Sequence, residues 1–193
     1  MGERLTADDF NHLFRYFTDT AFRLEVQPVY TVTDEAESFR EFLAGEPRPV
    51  TEFPFYAAWL DKIRAATSAG KRVERVRVLE EPPTDYQRWE MWSGQYNIAA
   101  GESIRYIPRS RALAVGLPVT DDWWLFDSQR LAVMRFSETN EPLGGEIITD
   151  PELVAQHCGW WELAVQHSVP ATSGDSVISG SSGQPGKGNT EDL

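Results

Sequence analysis

Charged and aromatic side chains concentrate between Thr84 and Arg109 and in the arginine-rich stretch just before them. Arginine presents a rigid fork of N–H donors that matches a carboxylate or a phosphate, and an indole ring can stack against it. The sequence therefore predicts a pocket that binds an anionic small molecule or an acidic protein surface. Its candidate residues are arginines, the carboxylates that could orient them and two tryptophans: Arg75, Arg77, Arg88, Trp89, Glu90, Trp92, Glu102, Arg105, Arg109 and Asp127. In the pocket, Asp127 would reach in to hold one arginine.

Two other interpretations of the same residues remain open. In the first alternative, Arg88 with Glu90 and Glu102 with Arg105 neutralise one another as partly buried ion pairs. In the second, the protein is an enzyme that acts on a small phosphorylated or carboxylated substrate, with Glu90 or Asp127 as general base. A deep pocket that contains a carboxylate without an arginine partner would favour the enzyme.

The charge of the chain is strongly asymmetric. The net charge is −12, yet residues 62–111 contain ten Lys and Arg against six Asp and Glu. An acidic protein repels nucleic acid at long range, so we expect no direct nucleic-acid binding. The basic segment could still attract an anionic small molecule or an acidic protein partner.

The familiar motifs of metal and cofactor chemistry are missing from the sequence. The three histidines and Cys158 do not have the spacing of a metal site, and we predict neither metal nor cofactor. The segment from Gly180 to Lys187 departs from the phosphate-binding P-loop in spacing and lacks the Ser or Thr after the lysine. A single cysteine, together with the lack of a signal peptide or an apolar span, predicts a cytoplasmic protein without a membrane segment.

Hydrophobic periodicity and capping residues predict the elements that position these side chains. In the predicted strand at 71–79, Val76 and Val78 share one face while Arg75 and Arg77 share the other. The fold class is α+β: an antiparallel sheet of about five or six strands with helices packed mainly on one face. One domain is predicted over 1–169, followed by a disordered Ser/Gly-rich tail at 170–193. Helices are predicted at 6–22, 34–44, 55–68, 86–96 and 151–168, and strands at 23–32, 71–79, 102–108, 121–127, 131–136 and 145–149.

Several segments resemble an actinobacterial family of unknown function, DUF6879. They are FRLEVQPVYTV, RVRVLEEPPTDYQRWE, NIAAGESIRYIPR, DDWWLFD and GEIITDP, and the resemblance covers about residues 10–168. Members of that family are commonly encoded beside helix-turn-helix regulators, and the family has no agreed chemistry or catalytic residues. The resemblance therefore implies a bacterial protein that works with a DNA-binding partner. Together with the basic segment and the aromatic content, it favours a non-enzymatic accessory of transcriptional regulation, whose partner is such a regulator or another protein.

Overall fold

The computed structural model describes residues 3–171 of the chain. The predicted disordered tail lies outside the described residues, except for Pro170 and Ala171. The helices are α1 (Ala7–Tyr16), α2 (Ala36–Leu43), α3 (Pro54–Ser68), α4 (Asp85–Ala99), α5 (Arg109–Ala114) and α6 (Pro151–His167). The strands are β1 (Glu3–Leu5), β2 (Thr20–Glu25), β3 (Arg72–Leu79), β4 (Ser103–Pro108), β5 (Trp123–Phe126), β6 (Arg130–Phe136), β7 (Pro142–Ile148) and β8 (Val169–Pro170).

These strands form one mixed sheet in the order β1-β7-β6-β5-β2-β3-β4-β8. β2 runs parallel to β3 and β3 runs parallel to β4, while the other neighbours are antiparallel. The predicted antiparallel sheet of five or six strands is therefore wrong. The parallel pairs follow from the connections, since α3 and α4 each lie between two strands and provide the crossover that parallel pairing requires. The alternation of side chains along a strand does not indicate its direction.

Helices cover both faces of the sheet, which corrects the prediction of one covered face. On one face, Phe22 and Leu24 of β2 belong to a core with α5 and α6, and the ring of Phe22 stacks on Trp161 with centroids 4.6 Å apart. On the other face, Ala21 packs with Phe14 of α1 in a second core. A third core joins α2, α3 and α4. The face covered by α1, α3 and α4 also carries the charged residues of β2 and β3.

The capping residues fix where three helices begin. Thr6 and Thr84 each form a capping box, with Asp9 and Gln87 respectively, and the Asp150 side chain accepts hydrogen bonds from two backbone N–H groups at the start of α6. The observed starts of these three helices agree with the starts predicted from the sequence. The first helix ends at Tyr16 rather than at Phe22, because the chain turns there and enters β2.

Other segments differ from the prediction in type or length. The strand predicted at 23–32 is β2 (Thr20–Glu25), and β1, β8 and the short helix Arg109–Ala114 were not predicted. The helix predicted at 86–96 begins at Asp85 and continues to Ala99. Gly94 permits this helix to lie close to the sheet, since a Cβ there would lie 3.3 Å from Ile104 Cδ1. Within the described part of the chain, no helix has the length and apolar character needed to cross a membrane.

Two glycines provide a paired test of the packing. A Cβ on Gly145 of β7 would lie 2.1 Å from the carbonyl oxygen of Val133, whereas a Cβ on Gly159 of α6 would meet nothing within 4 Å. We expect Gly145→Ala to lower the free energy of unfolding by about 1–3 kcal/mol through overpacking. Gly159→Ala should raise it by up to about 1 kcal/mol, because alanine favours the helix. Urea denaturation measures both, and equal effects would contradict this description of the strand.

Candidate functional site

Arg75 and Arg77 project from β3 into a buried layer of charge between the sheet and α4. Each is only 7% exposed. The parallel register places Arg23 of β2 opposite Arg75 and Glu25 opposite Arg77. Two arginines thus face each other across neighbouring strands, which is unfavourable unless a carboxylate lies between them.

Glu25 supplies that carboxylate. Its Oε1 accepts from Arg23 Nε at 2.7 Å and from Arg75 Nη1 at 2.6 Å, and its Oε2 accepts from Arg77 Nε at 2.5 Å. Burial by itself raises the pKa of Glu25, but the three guanidinium groups outweigh it and hold that pKa well below its usual range. Glu25 is therefore the centre of the charged layer.

The outer members of the layer complete its hydrogen bonding. Glu102 accepts from Arg75 Nε at 2.7 Å and from Asn97 Nδ2 at 2.6 Å. Asp122 lies 3.1 Å from Arg23 Nη2 and also accepts from the Tyr30 hydroxyl at 2.5 Å. A buried charge is tolerated when it is paired and hydrogen-bonded in this way.

Glu90 of α4 is the weakest partner in the layer. Its Oε1 lies 3.3 Å from Arg77 Nη2, and its backbone carbonyl accepts from Arg77 Nη1 at 2.9 Å. Burial raises the pKa of Glu90 to about 8, so the carboxyl keeps its proton at neutral pH. Glu25, Glu102 and Asp122 remain as the closer carboxyl partners of Arg23, Arg75 and Arg77.

The other predicted site residues lie elsewhere, so the predicted pocket is not assembled. Arg88 is exposed and pairs with Asp85 on the surface of α4. Arg105 projects from the opposite face of the sheet and donates to Ser168 Oγ at 2.8 Å. Arg109 donates to Glu80 Oε1 at 2.5 Å and to the carbonyl of Val26. The ion pairs expected between Arg88 and Glu90 and between Glu102 and Arg105 are wrong, because both carboxylates turn to β3.

The two tryptophans also lie apart from the arginines. Trp89 is 2% exposed, and its Nε1 donates to Ser38 Oγ at 3.2 Å. Trp92 is half-buried and packs against Phe42, with ring centroids 5.7 Å apart. The indole that does lie beside the charged layer is Trp124, which has the guanidinium carbons of Arg23 and Arg75 at 5.2 and 5.8 Å from its ring centroid.

Asp127 binds backbone and not an arginine. Its carboxylate accepts from the N–H groups of Thr18, Asp19 and Thr20 at 2.8–3.2 Å. Burial is the largest single influence and raises the pKa of Asp127, but these N–H groups together outweigh it and hold that pKa below its ordinary value. Asp127 therefore fixes the turn that leads into β2, and its lowered pKa does not suit a general base at neutral pH.

A groove of about 790 Å³ lies between α1 and α3 and is here called the α1–α3 groove. Two smaller cavities, of about 490 and 280 Å³, lie at the start of α6 and beside β6. Neither Glu90 nor Asp127 lines any of the three, so the geometry gives the enzyme interpretation no support. The α1–α3 groove is lined by Asn11, His12, Phe14, Arg15, Lys62, Ala65, Ala66, Ala69 and Lys71.

The α1–α3 groove is basic in an acidic protein. Arg15, Lys62 and Lys71 line it, and none of its lining residues is acidic. Lys62 Nζ donates to the neutral amide of Asn11 at 2.8 Å, and Lys71 Nζ donates to the carbonyl of Phe17 at 2.5 Å. Among the residues whose side chains the structure describes, none of these three cations has a carboxylate partner.

Elsewhere on the surface Arg48, Arg64 and Arg135 are each paired with carboxylates. Arg40, Arg111 and Arg130, like the groove cations, have no carboxylate partner among the described side chains. Sequence reasoning missed the groove because its residues come from separate helices with no shared motif. The inclusion of Lys62 and Lys71 in the basic segment was the available signal.

Sequence reasoning also missed Glu25, Arg23 and Asp122. A signal for the first two was available, since Arg23 and Glu25 alternate with Leu24 and Val26 just as Arg75 and Arg77 alternate with Val76 and Val78. That alternation shows that each strand has a polar face. It does not show that β2 and β3 are neighbours in the sheet, with their polar faces side by side.

Comparison with known proteins identifies a family and a distant structural likeness. The family model described as a domain of unknown function, DUF6879, matches residues 8–173. No curated protein matches the chain. Similar solved structures include Nuc from Salmonella typhimurium, a phospholipase D family member, with a TM-score of 0.49 and 13% identity over 82% of this chain and 86% of that one. NucT from Helicobacter pylori has a TM-score of 0.45 and 9% identity over 84% and 91%. Likeness of this degree carries no functional argument.

Removal of the central carboxylate tests the charged layer. Glu25→Gln leaves three buried guanidinium groups without their shared partner, and we expect a loss of about 3–5 kcal/mol in the free energy of unfolding. Asp61→Asn is the control, because it breaks the exposed pair with Arg64 and should leave stability within measurement error. Thermal and urea denaturation report both. A Glu25→Gln protein as stable as the control would refute the assigned role.

The proton on Glu90 tests the electrostatics separately. The unfolded carboxyl loses its proton near 4.5, whereas the folded one keeps it to about 8. Between those values the folded state binds more protons, so this group makes the free energy of unfolding fall as pH rises, by at most about 1.4 kcal/mol per pH unit. We expect Glu90→Gln to flatten the stability curve between pH 5 and 8 in urea titrations. Parallel curves for the two proteins would contradict the raised pKa.

Proposed function

This chain belongs to the family described as domain of unknown function DUF6879, and on that premise we propose that it is a non-enzymatic accessory protein of transcriptional regulation. It binds a small anionic ligand or an acidic protein partner. The binding surface is the α1–α3 groove and not the Arg/Trp cluster that the sequence singles out. That cluster is divided between a buried layer and separate surface pairs.

One observation carries the proposal. A protein of net charge −12 keeps Arg15, Lys62 and Lys71 on one groove without carboxylate partners among the described side chains. Bringing like charges together costs free energy that an anion bound between them recovers. Charge-assisted hydrogen bonds to an anion are also stronger than those between neutral groups.

The three cations do not contribute equally. Lys71 is engaged by the carbonyl of Phe17 near the C-terminal end of α1, where a cation also complements the helix dipole. Arg15 has no hydrogen-bond partner among the described residues, and Lys62 contacts only a neutral amide. With respect to the described side chains, Arg15 and Lys62 are therefore the two groups that can exchange water for an anion.

The buried charged layer packs, through Trp124, against one wall of the α1–α3 groove. The ring of Phe14, in the groove wall, packs edge-on against Trp124 with centroids 4.8 Å apart. Trp124 in turn lies beside the guanidinium groups of Arg23 and Arg75. A wall held by a rigid interior lowers the cost of ordering the site when a ligand binds.

The regulatory setting is what the family resemblance implies, and anion binding is what the groove supports. The acidic total argues against nucleic acid as the direct partner. The accessory role thus requires contact with a DNA-binding protein, or a ligand signal relayed to one.

Charge reversal at the groove tests the binding function. We expect inorganic tripolyphosphate to bind the wild-type protein at low ionic strength, and Arg15→Glu to weaken that binding by about tenfold or more through the loss of one charge-assisted contact. Arg40→Glu makes the same change of charge at an exposed position of α2 and should alter the affinity by less than about twofold. Isothermal titration calorimetry measures all three. Absence of binding, or an equal loss in both variants, would overturn the assignment of the groove.

A further inference from the structure

We infer that the ligand of the α1–α3 groove is a phosphorylated small molecule with an apolar or planar part, an inference that rests on the proposed function. The groove combines a place for a phosphate with a flat apolar floor, and each half has its own residues. An acidic protein segment would need the first half only.

The phosphate position is set by Asn11, Arg15 and Lys62. Asn11 and Arg15 are one helical turn apart on α1, which places their Cβ atoms about 5–6 Å from each other. Lys62 Nζ lies 2.8 Å from Asn11 Oδ1. Arg15 and Lys62 are therefore both neighbours of Asn11 in the α1–α3 groove.

This donor set suits a phosphate better than a single carboxylate. A guanidinium fork and a compact ammonium contribute two positive charges from two directions, and an amide adds neutral N–H donors. A phosphate monoester offers close to two negative charges and three acceptor oxygens. A phosphate monoester can accept hydrogen bonds from all three side chains at once. A single carboxylate, with two oxygens, can do so less completely.

The apolar half is the surface of α3 that faces the groove. Ala65, Ala66 and Ala69 lie one turn after Lys62 and lead away from it along the same helix face. Phe14 adds an aromatic wall from α1. Alanine has no side-chain rotamers to lose, so a ligand can cover this floor at little entropic cost.

The dimensions agree with a small ligand. Small-molecule sites occupy about 300–1,000 Å³, and the groove has about 790 Å³. From Lys62 to Ala69 the helix rises about 10 Å. That length holds one phosphate and a two-ring group, but only a few residues of an extended peptide.

The test compares the two halves of the ligand with 1-naphthyl phosphate as probe. In calorimetry with wild-type protein, we expect 1-naphthyl phosphate to bind at least about tenfold more tightly than either inorganic phosphate or 1-naphthol, because each of these supplies one half only. A poly-glutamate peptide should bind more weakly than 1-naphthyl phosphate. Arg15→Glu should remove the preference for 1-naphthyl phosphate over 1-naphthol.

A variant of the floor separates this inference from the proposed function. Ala65→Leu places a larger side chain on the apolar floor of the groove. It should weaken the binding of 1-naphthyl phosphate by about fivefold or more, while the affinity for tripolyphosphate stays within about twofold of the wild-type value. Ala99→Leu, exposed at the end of α4, is the matched control and should change neither. Circular dichroism confirms that both variants are folded.

The outcomes distinguish the two proposals. If tripolyphosphate binds through Arg15 but 1-naphthyl phosphate binds no better than inorganic phosphate, the inference fails and the proposed function stands. Tighter binding of poly-glutamate than of 1-naphthyl phosphate also overturns the inference and assigns the groove to an acidic protein partner. If none of the anions binds, both proposals fail.

Discussion

The described structure depends on one buried carboxylate that three arginines share. Glu25 lies between Arg23, Arg75 and Arg77 on the covered face of two parallel strands. Without it, the register of β2 and β3 would bring uncompensated guanidinium groups together in a layer that excludes water. A shift of the register by one residue would turn these side chains toward the apolar core on the other face. The ion pairs therefore specify how the two strands align, whatever their net contribution to stability.

This buried layer also organises what surrounds it. α4 approaches the sheet at Gly94, and its Glu90 reaches Arg77. Trp124 connects the charged layer to Phe14 and so to the wall of the α1–α3 groove. Charge that is buried holds the fold in register, whereas the proposed binding site uses surface cations that have no carboxylate partner among the described side chains. The two groups of cations thus have different physical tasks in one chain.

Much of the local structure could be predicted from the sequence. The capping boxes at Thr6 and Thr84 place two helices, because a side chain that accepts from backbone N–H groups acts within four residues. The alternation around Val76 correctly separates an apolar face from an arginine face. The tail prediction falls almost entirely on residues that the structure does not describe. The direction of the strands and the two covered faces were predicted wrongly, although the strand–helix–strand order at β3, α4 and β4 is typical of parallel pairing.

The sequence by itself determined most of the helices and strands and which of their faces are polar, since these properties depend on neighbours a few residues away. Only the tertiary structure decided which charges meet. Arg75 finds Glu25 fifty positions away, and Arg88, a candidate for the same pocket, remains on the surface with Asp85. Arg15 and Lys62 come together through the packing of two helices. Such pairings depend on the register and crossing of distant elements, and no local pattern of residue types encodes that geometry.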